Sequence, residues 1–152
     1  MNSQITVLYT AEATVTGGRA GHGRTSDGRL DVDLDVPKEM GGTGGPGTSP
    51  EQLLAVGWAA CFQSSMQRFA RMLEVDLSAS RVTSHIGIGT LKSGGLGLIA
   101  ALDLDAPGID REKAAELMKR AHETCPYSRA TRGNVDVTLT IEGKALDERQ
   151  AA

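Results

Sequence analysis

SPEQLLAVGWAACFQSSMQRFARMLEV, Ser49 to Val75, decides how the rest of the chain must be arranged. It opens with a helix start. Ser49 can be the N-cap, Pro50 stands at the first helical position, and Gln52 three residues on completes a capping box. Glu51 in the first turn suits the positive end of the helix dipole. Only Gly57 interrupts the run that follows. From Leu53 to Phe62 nearly every face is apolar, the pattern of a helix buried all round. A 152-residue α+β chain is hard pressed to surround such a helix alone, so this stretch implies a homodimer that covers part of it. Arg68 and Arg71 return polarity near the end.

Upstream lies GGTGGPGTSP, Gly41 to Pro50. No Gly-Lys-Ser/Thr follows, and no strand feeds the loop directly, so a phosphate cradle is excluded. It reads as a loop that needs positive φ and close backbone packing, with the shaping of a nearby site as the second reading. Before it, Leu30, Val32, Leu34 and Val36 alternate with Asp31, Asp33 and Asp35. That is period two, one apolar and one acidic face, and Pro37 ends it. Ser26-Asp27-Gly28 is a turn signal. Ile5, Val7 and Tyr9 also alternate and predict a first strand.

Downstream, Val82–Gly89 and Leu96–Leu104 predict strands joined by a hairpin turn at Lys92-Ser93-Gly94-Gly95. Asp110 is the expected N-cap of a second helix, with Glu112 in its first turn. Ala114, Leu117, Met118, Ala121 and Cys125 recur every three or four residues as one apolar stripe, and Pro126 marks the end. Val135, Val137, Leu139 and Ile141 alternate as a last strand. The order is strands, long helix, strands, helix, strand. It predicts one α+β domain over residues 1–152, a largely antiparallel sheet with two main helices on one side, and a loose polar tail over 144–152.

Composition narrows the partners. Net charge is −3 with no Lys/Arg cluster, which argues against nucleic acid or an anionic membrane surface. No secretory leader and no 18-residue apolar run are visible, so a cytoplasmic location without a membrane span is expected. Only five residues are aromatic, so the core must rest on aliphatic side chains and Met.

The two cysteines are Cys61 and Cys125. In a reducing cytosol such a pair is catalytic, redox-active or simply buried. CPYS, Cys125 to Ser128, is the tetrad of a glutaredoxin active site. That reading fails on position. Its Cys should open a helix near the chain start, whereas Cys125 sits at the end of one in the last fifth. A helix C-terminus does not lower a thiol pKa. Cys61 lies in mid-helix among apolar neighbours, which would raise its pKa unless a cation stood near. A working Cys61 therefore requires an Arg, and a buried Arg requires a carboxylate. Glu51 is a candidate, although ten residues of helix separate it from Cys61 by about 15 Å. His122 and Cys125 have ligand-like spacing, but too few His and Cys exist for a convincing metal site. His22 and His85 carry no decisive signal. A dimeric binding module with two inert cysteines is the non-catalytic alternative.

Four segments carry a resemblance: GGRAGHGR (17–24), SDGRLDVDLDVPKEMGG (26–42), GGPGTSPEQLLAVGWAACF (44–62) and CPYSRATRGNVDVTLTI (125–141). Together they closely resemble the organic hydroperoxide resistance proteins, the Ohr branch of the superfamily that also holds osmotically inducible protein C. The resemblance implies an OsmC/Ohr-like fold and an intertwined homodimer. It implies a thiol peroxidase that reduces organic hydroperoxides, with no bound cofactor and a dihydrolipoyl dithiol as electron donor, from lipoamide or a lipoylated protein. By residue, Cys61 matches the peroxidatic cysteine, Cys125 the resolving one, Arg19 the catalytic arginine and Glu51 its carboxylate partner. An osmotically-inducible-type peroxidase with another substrate or reductant is the nearer alternative. Trp58 stands where Tyr is commoner and Leu96 where Phe is usual, so substrate preference is open. Phe62, Met66, Leu96 and Tyr127 are candidates for the apolar walls of a substrate pocket, and ordinary core packing is the competing reading.

Overall fold

A computed structural model describes residues 5–146. They form two compact units that divide between Pro50 and Glu51, at the head of the long helix.

The first unit is a three-stranded antiparallel sheet of β1 (Ala13–Thr16), β2 (His22–Thr25) and β3 (Asp31–Asp33), in that order. The expected turn joins β2 to β3. Gly28 takes φ +71°, and the Asp27 carboxylate accepts from Thr25 Oγ1 (2.7 Å) and Arg29 N–H (3.0 Å).

Two strand expectations need correction here. Residues 5–9 alternate in sequence, yet they form no strand, and Leu8 is 95% exposed. Alternation marks a face, but a strand also needs a ladder partner, and none lies beside residues 5–9 among the described residues. The run 30–36 supplies only a three-residue strand. Beyond Asp33 its backbone is taken by the end of the glycine-rich loop: Thr48 N–H donates to Asp33 O and Asp35 N–H to Thr48 O, both at 2.9 Å. Gly47 N–H donates to Asp35 Oδ2 at 2.6 Å, and a Cβ at Gly47 would stand 2.8 Å from Asp35 N. Close backbone packing is thus what this loop uses its glycines for.

His22 bridges two carboxylates, with Nε2 at 2.8 Å from Asp31 Oδ1 and Nδ1 at 2.8 Å from Asp33 Oδ1. The bond to Asp33, then the field of both carboxylates, raises its pKa above the ordinary histidine value. The imidazolium therefore stabilises this sheet below about pH 6.5, and that contribution is lost as pH rises through the raised value. Asp33→Asn is expected to bring the His22 midpoint down in an imidazole proton NMR titration. An unchanged midpoint would exclude Asp33 as the cause.

The second unit holds α1 (Pro50–Met72), β4 (Arg81–Thr90), β5 (Leu96–Asp105), α2 (Arg111–Thr124), α3 (Pro126–Thr131), β6 (Asp136–Ile141) and β7 (Lys144–Ala145). Its sheet runs β4-β5-β6-β7. β4 and β5 form the expected hairpin, paired from Arg81↔Asp105 to Thr90↔Leu96, and Gly94 and Gly95 supply φ of +91° and +85° in the turn. There are thus two sheets rather than one, and β6 pairs parallel to β5. Helices α2 and α3 fill the long connection that a parallel pair requires. The tail is tighter than its polarity suggests. β7 pairs with β6, and Arg111 donates to the carbonyls of Ile141 (3.2 Å), Lys144 (3.3 Å) and Ala145 (3.2 Å). Residues 147–152 of the predicted tail lie outside the described residues.

Asp110 caps α2 as its sequence predicts, accepting from Glu112 N–H (2.9 Å) and Lys113 N–H (3.4 Å), worth about 1 kcal/mol. The α2 stripe joins Trp58, Phe62, Met66 and Ala70 of α1 and Ala100, Leu102, Leu104 and Ile141 of the sheet in one core. Those four α1 residues are spaced by four, so α1 buries one inclined ridge. Within the single chain it is not buried all round, because Val56 remains 72% exposed.

Candidate active site

Cys61 and Cys125 come from α1 and from the junction of α2 with α3. Cys61 sits on the turn of α1 that also carries Trp58 and Phe62, and keeps part of its surface exposed; Cys125 has none. Their Sγ atoms lie 3.4 Å apart, and both are free thiols. The folded backbone thus brings together two sulfurs that are 64 residues apart.

The junction differs from what Pro126 predicts. α2 does stop at Thr124, and Cys125 N–H closes it on Ala121 O at 2.7 Å. Pro126 is also the first residue of a second, six-residue helix, and Arg129 N–H bonds back to Cys125 O at 2.9 Å. A proline that ends one helix is equally suited to position N1 of the next, and this is the signal by which the sequence could have shown α3, which the reading of Pro126 as a stop missed. The consequence is chemical. The Tyr127 backbone N–H, in the first turn of α3, acts on the Cys61 thiol and pulls its pKa down. Burial acts more strongly in the other direction, and the neighbouring Cys125 adds to it, so the Cys61 thiol is pushed up on balance.

A further tie was not foreseen from sequence. Trp58 Nε1 donates to Ser128 Oγ at 3.2 Å, deep in the core. A buried tryptophan calls for an acceptor, but nothing local identifies one 70 residues away. Gly57, the one breaker in α1, has its own reason. A Cβ there would stand 3.1 Å from the Tyr127 hydroxyl, so the small residue lets the tyrosine lie across the helix.

The candidate pocket residues separate. Phe62 and Met66 have no exposed surface and belong to the core, so the packing reading applies to them. Tyr127 is 40% exposed beside the cysteine pair, and Leu96, at the head of β5, is 61% exposed. Glu51 is half-buried in the first turn of α1, in the same unit as the cysteines. Arg19 belongs to the first unit, where Gly17 and Gly18 take φ of +74° and +60° and set it in a short 3-10 turn, Gly18–Ala20. Only glycine adopts two successive left-handed conformations at little cost, which is the physical sense of the GGR motif. His122 is half-buried, and burial followed by the charge of Arg132 lowers its pKa. No group of three metal-ligating side chains occurs among the described residues, and Cys125 faces Cys61 rather than His122. No helix among them is long and apolar enough to cross a membrane.

The α+β fold is that of the OsmC-like proteins, and the model of that family matches residues 42–140. The chain is 48% identical over 142 residues to an organic hydroperoxide resistance protein of Xanthomonas axonopodis pv. citri, covering 93% of this chain and 99% of that one. It is 44% identical to organic hydroperoxide resistance protein OhrB of Bacillus subtilis over 138 residues, covering 89% and 98%. Among solved structures, OhrB of B. subtilis superposes with a TM-score of 0.83 at 42% identity, over 90% of this chain and 100% of that one. A putative organic hydroperoxide resistance protein of Vibrio cholerae, with captopril bound in one of its active sites, gives 0.87 at 42% identity, over 96% and 100%. The chain belongs to the OsmC-like family, in its organic hydroperoxide resistance branch.

Proposed function

We propose that the protein is a cysteine-based peroxidase that reduces organic hydroperoxides to alcohols. The observation that carries this reading is the sulfur pair, one thiol reachable and one fully buried, 3.4 Å apart. A reachable thiol can meet a substrate, and a buried one at that distance can meet only its neighbour.

In this mechanism the Cys61 thiolate attacks the near peroxide oxygen, the O–O bond breaks, and the alkoxide leaves as an alcohol once protonated. Cys61 is left as a sulfenic acid. The Cys125 sulfur then attacks the Cys61 sulfur and forms the disulfide. The sulfenic hydroxyl leaves with the Cys125 proton as water. A dithiol donor opens the disulfide by exchange and is itself oxidised. The donor of this reading is a dihydrolipoyl group, on lipoamide or a lipoylated protein, in the reducing cytoplasm. No bound cofactor or metal enters any step.

Burial raises the Cys61 pKa, so a thiolate at neutral pH requires a cation that outweighs it. The family resemblance assigns this to Arg19, with Glu51 orienting the guanidinium and offsetting its charge. Arg19→Ala is expected to raise the Cys61 midpoint by about 1 unit or more, cutting the thiolate fraction at pH 7 about tenfold per unit. Thiolate absorbance against pH reads this directly, and an unmoved midpoint would remove Arg19 from the mechanism. A homodimer completes the reading, since Val56 and the apolar residues of the segment 5–9 stand exposed on the single chain.

The decisive experiment is stopped-flow oxidation of the reduced protein by an alkyl hydroperoxide, with Cys61 followed by mass spectrometry. A Cys61 that gains no oxygen would reject the peroxidase in favour of a binding module.

A further inference from the structure

We propose that Trp58 and Ser128 are a positioning pair that holds α3 against α1 at the spacing the Cys61–Cys125 disulfide needs. This rests on the two-cysteine reading above and extends it to residues that touch no substrate.

The argument is one of register. Trp58 lies three residues before Cys61 on α1, and Ser128 lies three residues after Cys125 on α3. Their side chains meet through the 3.2 Å bond from Trp58 Nε1 to Ser128 Oγ. Trp58 is 1% exposed and Ser128 not at all, so no water can substitute for either partner. Between them in sequence, the Tyr127 hydroxyl lies over Gly57. Cys125 at the head of α3 and Tyr127 and Ser128 within it are thereby set against one stretch of α1: Cys125 against Cys61, Tyr127 against Gly57, and Ser128 against Trp58.

Closing the bond asks little of this frame. The sulfurs must approach from 3.4 Å to the disulfide length, a movement of about 1.4 Å. Rotation about the two Cα–Cβ bonds can supply much of that while the helices stay in place. Removing either partner leaves the other, an indole N–H or a hydroxyl, buried and unpaired, and the cheapest relief is for α3 to move off α1. Cys125 moves with it. The condensation itself conserves atoms as written above: the S–S bond forms, the S–O bond of the sulfenic acid breaks, and water leaves.

The test uses Trp58→Phe, which keeps an aromatic ring and deletes the N–H, Ser128→Ala, and the double variant, all in the full chain. The first readout is the reduction potential of the Cys61–Cys125 pair, equilibrated against defined thiol–disulfide buffers, which involves no peroxide. Each single variant is expected to lower the equilibrium constant for disulfide formation about tenfold, a rise of about 30 mV. The double variant, which leaves neither polar group unpaired, is expected to shift the potential by clearly less than the sum of the two singles. The second readout is kinetic. Disulfide formation should slow by one to two orders of magnitude, the scale on which misplacing reacting groups by about 1 Å is felt, and by more than sulfenic acid formation at Cys61 slows. At excess hydroperoxide, Cys61 sulfinic acid should then accumulate.

Variants that melt at a lower temperature but keep the parent potential would overturn the proposal and leave the bond a structural one. So would additive shifts in the double variant. Failure of the peroxidase reading looks different: the parent's Cys61 would resist hydroperoxide, while the potentials still report on the pair.

Discussion

Replacing Cys61 by Ser is expected to abolish hydroperoxide reduction, with a loss on the order of 10⁴-fold or more, as for removal of any attacking nucleophile. The reason is chemical rather than structural. A serine hydroxyl at this place has nearly the same shape, and the half-exposed turn of α1 that carries it tolerates a polar group. It cannot become an anion at neutral pH, and its oxygen does not attack a peroxide as a thiolate sulfur does. Folding should be retained, since the core ridge of Trp58, Phe62, Met66 and Ala70 is untouched. Circular dichroism confirms the fold, and consumption of an alkyl hydroperoxide measures the loss. A Cys61→Ser protein that still turned over would place the chemistry elsewhere, and the assignment of both cysteines would fall with it.

Cys125 is expected to behave differently. Removing it should leave the first oxidation intact and stop the second step. Cys61 then remains a sulfenic acid, with the mass gain of one oxygen, and steady-state turnover with a dithiol donor drops unless that donor attacks the sulfenic sulfur itself. The choice of replacement matters, because Cys125 is fully buried in the core. Cys125→Ser places a hydroxyl there at a cost of about 1–3 kcal/mol if unpaired. Cys125→Ala avoids that cost and serves as the control. If either variant lost the single turnover while folded, the roles of the two cysteines would be reversed. The geometry argues against reversal. A substrate can reach Cys61 from solvent, whereas Cys125 has the Cys61 sulfur 3.4 Å away and no exposed surface of its own.

The opposing effects on Cys61 show how finely such a site is balanced. Burial sets the Cys61 thiol beside its partner, yet the same burial disfavours the thiolate. One backbone N–H from α3 offsets this in part. The rest is the task assigned to Arg19, so the two glycines that set Arg19 in its turn are as much a part of the proposed chemistry as the arginine.

Local patterns carried much of this molecule. The start of α1 at Pro50, the Asp110 cap, the stripe on α2 and the 92–95 turn depend on residues within a few positions of one another, and each stands where its sequence predicts. Membership of the family was legible in motifs for the same reason, since each motif is a short run of residues under one local demand. Other features were decided by the tertiary structure. Residues 5–9 alternate like a strand but form none, because a strand depends on a neighbour that alternation cannot supply. β6 runs parallel to β5 because α2 and α3 carry the chain back across the sheet. The fate of Phe62 and Met66, core rather than pocket wall, follows from which side of α1 meets the sheet and α2. Most of all, the pairing of Cys61 with Cys125 and of Trp58 with Ser128 joins residues 64 and 70 positions apart. Sequence determined the kinds of side chain present and the helices that carry them. Only the packing of α3 on α1 brought those side chains within bonding distance, because no property of either segment alone encodes the position of the other.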